Sequence, residues 1–356
     1  MASTLHDVAR LAGVSIKTVS NVIHDYPHIR PATRARVEQA IAELGYTPNL
    51  TARSLRSGRT GAIALAVPDL ALSYFAELAA AVIAAADEAG VVVLVEQTGG
   101  DREREFELLR SPRLKMTDGL IFSPLGMGQE DVDRLDVPYP LVVLGERVFG
   151  GPADHVTMRN VEAARAATEY LIRSGRRRIA VVGAHEGEVV GSAALRLQGY
   201  REALDAAGLP FDPTIIGHTT LWHRSNGARC MRELLDAGGE FDAVFGMNDT
   251  LALGAMRVLQ EAGIRVPDEV AVMGFDDLDE AEYSIPSLTT VDPGQAWIAQ
   301  TAVTTLLERI ESADAAGEPR LLLADFRVVD RESAPATPVA EPLSTGARAT
   351  APSRSA

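Results

Sequence analysis

The sequence predicts an all-α helix-turn-helix head followed by an α/β body of two doubly wound lobes. Three observations lead there. The first 48 residues hold three short helical patterns parted by turn signals, and from residue 61 short β-branched apolar runs alternate with amphipathic stretches. Charge divides at the same boundary. The 356-residue chain has a net charge of −15, yet residues 1–60 carry eight Lys and Arg against four Asp and Glu, leaving a body with nineteen net negative charges. Such a body repels phosphate backbones, so only the head is expected to meet nucleic acid.

The head (residues 1–48) reads helix by helix. Thr4 stands three residues before Asp7, the spacing of a capping box, and Leu5, Val8, Ala9, Leu11 and Ala12 follow helical periodicity until Gly13. Ser15 caps a second helix, Ile16 to Ile23, with Val19, Val22 and Ile23 inward and Ile16, Lys17, Ser20 and Asn21 outward. Pro31 opens a third, which carries Val37, Ala40, Ile41 and Leu44 on one face and stops at Gly45. Residues 49–57 have a capping Asn and good helix formers but only about two turns. That is short of the ~12–15 residues at which an isolated helix becomes marginal, so the segment is expected to order only against a partner.

In the body, the runs 62–67, 91–96, 119–123 and 141–144 read as strands, with an amphipathic helix at 75–89. A second series follows, with helical patterns at 161–174, 199–207, 225–237 and 250–262 and strand runs at 178–183, 243–246 and 270–275. Two α/β lobes account for both series, residues 61–160 with about 291–320 in the first and 161–290 with about 321–330 in the second. A ligand is expected between them at the carboxyl ends of the strands. From residue 331 the chain is rich in Ala, Pro, Ser and Thr without periodicity, which predicts a disordered tail over 331–356.

Composition excludes several classes. The single cysteine, Cys230, cannot form an intramolecular disulfide or share a metal with a second thiol. No run of eighteen apolar residues appears and the N-terminus has no secretory pattern, so a cytoplasmic protein is expected. Gly126-Met-Gly128 lacks the third glycine of a dinucleotide loop. His218 and His223 lie near Cys230 in sequence without an orienting third group, so neither an enzyme nor a cofactor is expected.

Extended motifs then carry a resemblance. In the head they are Leu5-His-Asp-Val-Ala-Arg-Leu-Ala-Gly-Val-Ser15, Thr18-Val-Ser20, Thr33-Arg-Ala-Arg-Val37, Gly45-Tyr-Thr-Pro-Asn49 and Ala52-Arg-Ser-Leu55. In the body they are Val67-Pro-Asp69, Tyr74-Phe-Ala-Glu77, Arg196-Leu-Gln-Gly-Tyr200, Asn248-Asp249, Val272-Met-Gly-Phe-Asp-Asp277 and Ser287-Leu-Thr-Thr-Val291. The chain resembles the lactose-repressor/galactose-repressor (LacI/GalR) family up to about residue 331. The resemblance implies a transcription regulator, most simply a repressor, with a periplasmic-binding-protein-like body, bound as a dimer to a pseudo-palindromic operator under the control of a small molecule.

A recognition helix in the major groove reads bases with its first exposed side chains, here Ile16, Lys17 and Asn21. Lys17 suits guanine and Asn21 adenine, whereas Ser15, Thr18, Ser20 and Asn49 suit phosphate oxygens. Thr4 and Ala52 complete the expected DNA-facing set. The family frequently has Arg where this chain has Asn21, so no operator sequence carries over. By resemblance, Leu55 is the leucine of a hinge helix that wedges into the minor groove, where the bend offsets the cost of unstacking.

In the body the resemblance assigns Tyr74 and Phe75 to the first lobe's aromatic positions, Arg196 to a charged fork, Trp222 to a stacking platform, and Asn248 and Asp276 to polar grips. Planar forks of this kind suit vicinal hydroxyls. The competing readings are core packing for the three aromatics and an interlobe salt bridge for Arg196 and Asp276. Arg159 stands where relatives often have an acid, which leaves the ligand open. A sugar or sugar derivative is the family expectation, and purines and nucleosides occur too. Two other classes compete, a solute-binding protein and a sugar-modifying enzyme, but the intact head and the lack of a nucleophile or metal set oppose them.

Overall fold

The computed structural model describes residues 3–23, 26–46, 59–312 and 317–336. It divides into a unit ending at Gly61 and a unit beginning at Ala62. In the first unit, α1 (Leu5–Ala12), α2 (Ile16–Ile23) and α3 (Pro31–Leu44) pack around Val8, Val19, Val22, Val37 and Ala40. The predicted caps set the ends. Thr4 and Asp7 form a reciprocal capping box, and Gly13 and Gly45 close α1 and α3 in the left-handed region, which favours glycine.

The second unit holds two parallel sheets. Sheet one runs in the order β11-β5-β4-β3-β1-β2, from β1 (Ala62–Val67), β2 (Val92–Gln97), β3 (Leu120–Phe122), β4 (Leu141–Leu144), β5 (Asp154–Met158) and β11 (Leu321–Ala324). The helices α4 (Ser73–Glu88), α5 (Arg102–Leu109) and α11 (Gln295–Glu311) belong to this lobe. Sheet two runs β7-β6-β8-β9, from β6 (Ile179–Ala184), β7 (Ile216–His218), β8 (Ala243–Gly246) and β9 (Ala271–Met273). Its helices are α6 (Asn160–Arg173), α7 (Ser192–Ala206), α8 (Arg224–Asp236), α9 (Asp249–Glu261) and the short α10 (Asp279–Glu282). Strands buried on both faces, such as β6, explain the continuous apolar runs in the sequence.

The chain crosses between lobes at 158–160, at β10 (Thr290–Asp292) and at β12 (Arg327–Val329), the last two pairing antiparallel. Two expected boundaries are corrected. Residues 321–324, placed with the second lobe, pair with β5 at the edge of sheet one. Asp154 draws them there: its buried carboxylate accepts from Arg309 Nε at 2.7 Å and from the Arg320 amide at 2.8 Å. The chain is also ordered past residue 331. Ser333 and Ala334 are buried, and the Ser333 backbone pairs with Val272, covering an otherwise bare strand edge. The remainder of the expected tail, 337–356, lies outside the described residues.

Gly199 fixes how closely α7 lies on α6. A Cβ there would meet the Val161 carbonyl oxygen at 2.1 Å and the Arg165 nitrogen at 2.8 Å, both of them backbone atoms. Gly199→Ala must therefore push the helices apart, at a cost of about 1–3 kcal/mol. Urea denaturation should show a lowered midpoint at unchanged slope, and an unchanged midpoint would show that the helices are free to part.

Candidate functional site

In the head, α2 exposes Lys17 to solvent, with Thr18, Ser20 and Asn21 half-exposed. Ser15 caps the helix through the Thr18 amide at 3.1 Å, and the two hydroxyls lie 2.9 Å apart. Ile16, expected to face outward, is half-buried and packs against the head's core. The Thr4 hydroxyl is engaged with Asp7 at 2.6 Å, and this bond holds the Asp7 carboxyl below its ordinary value. Asn49, Ala52 and Leu55 lie outside the described residues.

In the body a cavity of about 390 Å³ opens at the carboxyl ends of both sheets. All six predicted residues, Tyr74, Phe75, Arg196, Trp222, Asn248 and Asp276, line it. Tyr74 and Phe75 come from the first turn of α4, edge to face with centroids 5.2 Å apart. Burial and the negative charges of Asp276 and Glu146 hold the Tyr74 hydroxyl far above its ordinary pKa, so it stays a neutral donor. The Trp222 indole is fixed by donating to the Gly183 carbonyl at 3.0 Å.

Arg196 is 3% exposed and stacks on Phe275, its Cζ 3.6 Å from the ring centroid. Its Nε donates to Asn160 Oδ1 at 2.7 Å, another N–H to the Met247 carbonyl, and Nη2 lies 3.6 Å from Asp276. Arg196 and Asp276 belong to the same lobe, so their pairing is not a bridge between lobes. Asp276, 5% exposed, sits at φ 117° just beyond β9, and among the described residues no donor hydrogen-bonds to its carboxylate. Burial lifts its pKa well above the ordinary range despite Arg196. A carboxyl so placed on the cavity wall can exchange hydrogen bonds with ligand hydroxyls, as acceptor when ionised and as donor and acceptor when protonated. Asn248 caps α9 by accepting from Leu251 at 2.8 Å, which leaves its NH₂ as the group it can offer a ligand.

Sequence reasoning missed Glu146, Arg147, His185 and Glu188, which also line the cavity. Glu146 accepts from Thr157 at 3.0 Å and from Ser192, in the other lobe, at 2.6 Å. Arg147 reaches across to the Val190 carbonyl at 3.1 Å. His185 pairs with Glu188. A usable signal was present, since His185 immediately follows β6 and Glu146 lies two residues past β4, at the strand ends where such sheets bind ligands.

A cleft between two parallel-sheet lobes, lined by aromatic faces and buried charges and carried on one chain with a helix-turn-helix head, defines a ligand-controlled DNA-binding protein. Comparison with known proteins agrees. Residues 4–49 match the description "Bacterial regulatory proteins, lacI family" and residues 168–334 the periplasmic binding protein-like domain. The HTH-type transcriptional regulator CelR of Thermobifida fusca is 37% identical over 93% of this chain and 98% of its own. A solved CelR–cellobiose complex is 34% identical over 93% of this chain and 99% of its own, with a TM-score of 0.66. The lac repressor dimer bound to operator and an anti-inducer is 29% identical over 94% and 100%, with a TM-score of 0.78. The chain belongs to the lacI family of bacterial regulatory proteins and is a transcription regulator, not an enzyme.

Proposed function

We propose that the protein is a cytoplasmic, nucleoid-associated repressor that holds a pseudo-palindromic operator as a homodimer and changes its grip when a sugar enters the cleft. The observation that carries the effector reading is the Asp276 carboxylate, set in the cavity wall 3.6 Å from Arg196 and sharing that wall with Trp222, with no hydrogen-bond donor among the described residues. Relatives support the class, one solved with cellobiose and another as a dimer on its operator. Self-association is supported by β2, which has a neighbour on one side only and exposes Val92, Leu94 and Val95. An apolar open strand edge of that kind is normally covered by a partner. Among the described residues, no helix is long and apolar enough to cross a membrane.

On DNA, Lys17 and Asn21 read bases, helped by Ile16 at the helix start. Ser15, Thr18, Ser20, Asn49, Thr4 and Ala52 set register, and Leu55 wedges the minor groove. Effector binding shifts the lobes and thereby favours or disfavours the hinge, and operator DNA must change effector affinity by the same factor.

Selection of bound sites from fragmented genomic DNA, followed by mobility shift against pooled sugars and nucleosides, tests this reading. A pseudo-palindrome whose shift responds to a sugar is expected; a response to nucleosides alone overturns the sugar assignment. Asn21→Ala should weaken the operator complex by about 1–3 kcal/mol per head and relax specificity at one position. An unchanged base preference in the same selection would remove Asn21 from readout.

A further inference from the structure

A second hollow opens in the first lobe, away from the cleft. It measures about 660 Å³ and shares no lining residue with the cavity between the lobes. Its walls come from the end of α5, the 3-10 helix Pro112–Met116 that follows, and the segment 133–139 that leads into β4. These segments run into the amino ends of the strands. The Asp118 amide donates to the carbonyl of Ala62, the first residue of β1, at 2.7 Å, and the Leu120 amide donates to the Pro140 carbonyl at 3.0 Å. The cleft lies at the carboxyl ends of the same sheet, so the two hollows are at its opposite ends.

The hollow has a largely apolar lining. Leu109 and Leu114 are buried, and Phe106, Val137 and Tyr139 are half-buried around them. The Tyr139 hydroxyl donates to the Leu109 carbonyl at 2.8 Å, which holds that ring in place as a wall. Small-molecule pockets are of this kind, about 300–1,000 Å³ with mostly apolar walls and a few polar groups that orient the ligand.

The charges decide the chemical class. Arg110, Lys115 and Arg134 line the hollow against Asp133 and Asp136, which leaves one positive charge in surplus on a body with nineteen net negative charges. Neighbouring arginines are committed elsewhere: Arg102 donates through Nε to Asp131 at 2.9 Å, and Arg113 lies 3.6 Å from Glu96. Among the described residues, no hydrogen bond or ion pair engages the side chain of Arg110, Lys115 or Arg134; the Arg134 guanidinium lies 5.4 Å from the Phe106 centroid. The Ser111 hydroxyl accepts from the Arg113 amide at 3.2 Å and keeps its own proton to donate. Phe106, Arg110, Ser111 and Arg134 also line a neighbouring hollow, so these four stand where the two meet. A guanidinium with an open fork receives a planar carboxylate through two parallel N–H groups. With Asp133 and Asp136 on the same walls, one negative charge is accommodated and a doubly charged phosphate ester is opposed.

We propose that this hollow is a second ligand site, which takes a small aromatic carboxylic acid whose carboxylate is held by Arg110 and Arg134 and whose ring lies against Phe106 and Tyr139.

The test is calorimetric titration of the full-length protein with benzoate, phenylacetate, 3-phenylpropanoate and 2-naphthoate, with the amide of each acid, and with phenyl phosphate. At least one acid should bind with a dissociation constant below about 1 mM, tenfold or more tighter than its amide and than phenyl phosphate. Arg110→Gln and Arg134→Gln should each weaken that acid fivefold or more at an unchanged melting temperature. Arg201→Gln should leave its affinity within twofold, since the Arg201 guanidinium also lies over a ring, 4.4 Å from the Phe211 centroid, but lines neither hollow. The proposal is overturned if none of the acids binds, if an amide or phenyl phosphate binds as tightly as the best acid, or if Arg110→Gln and Arg134→Gln keep wild-type affinity. An equal loss in Arg201→Gln also overturns it, because the binding would then follow net charge and not this hollow.

Discussion

Asp276→Asn is expected to reduce effector affinity by about 100-fold while leaving operator binding without effector unchanged. The carboxylate is buried, accepts no hydrogen bond among the described residues, and sits 3.6 Å from Arg196. Two hydroxyl bonds to this carboxyl are worth roughly 0.5–1.5 kcal/mol each, rising toward about 3 where it is ionised, and the amide keeps one weaker acceptor at that place. Asn also tolerates the positive φ of 117° better than Ala does, so the backbone turn beyond β9 is kept. Because burial raises the Asp276 carboxyl far above its ordinary range, neutralising it should leave the melting temperature unchanged or higher. Mobility shift with titrated effector checks the response, and a response at the same effector concentration as wild type would show that Asp276 does not touch the ligand.

Between pH 4 and 7, Asp249 should contribute a loss of stability as pH rises, and Asp249→Asn should remove that contribution and shift the pH slope of stability upward. Asp249, wholly buried at the start of α9, accepts from Thr290 on the crossover strand β10 and from the Leu278 amide at 2.9 Å. Burial, with the nearby Asp277 charge adding to it, raises its carboxyl from 3.8 to about 7; the two hydrogen bonds and Arg331 oppose this without cancelling it. Below 3.8 both folded and unfolded chains are protonated and the contribution to stability is fully present. Between 3.8 and about 7 the unfolded chain has released the proton that the folded chain retains, so stability drops by up to about 1.4 kcal/mol per pH unit. Above that window both forms are ionised and the loss levels off. Asp276 and Glu77 are shifted in the same direction, whereas His155, lowered by burial, opposes them within this range, Glu188 at its acid end, and Asp154, lowered to about 2 between Arg309 and Arg320, below it. The comparison is therefore between slopes, from urea denaturation of wild type and variant at several pH values. Parallel slopes would show that Asp249 is ionised in the fold at neutral pH.

The sequence by itself determined what local chemistry controls. Thr4 with Asp7, Gly13, Ser15, Pro31 and Gly45 mark helix ends through bonds and backbone angles spanning a few residues, so the head was legible helix by helix. The apolar runs of β1, β6 and β8 reported strands buried on both faces, and the resemblance pointed to the six cavity residues that the fold gathers. Helical spacing put Ile16 outward without showing that it also packs against the head's core.

Only the tertiary structure decided which distant segments share an edge or a cavity. Residues 321–324 join sheet one because Asp154, more than 150 positions earlier, needs Arg309 and Arg320. Ser333 is ordered because Val272 has a bare edge to cover, although the Ala- and Pro-rich composition around it reads as a tail. His185 and Glu188 come from one lobe, and Glu146 and Arg147 from the other. None of them carries periodicity, and that they line one cavity appears only in the folded chain. Partners that satisfy a buried charge or an unpaired backbone group are chosen by proximity in space, and the folded chain creates that proximity between residues whose separation in sequence leaves no local trace.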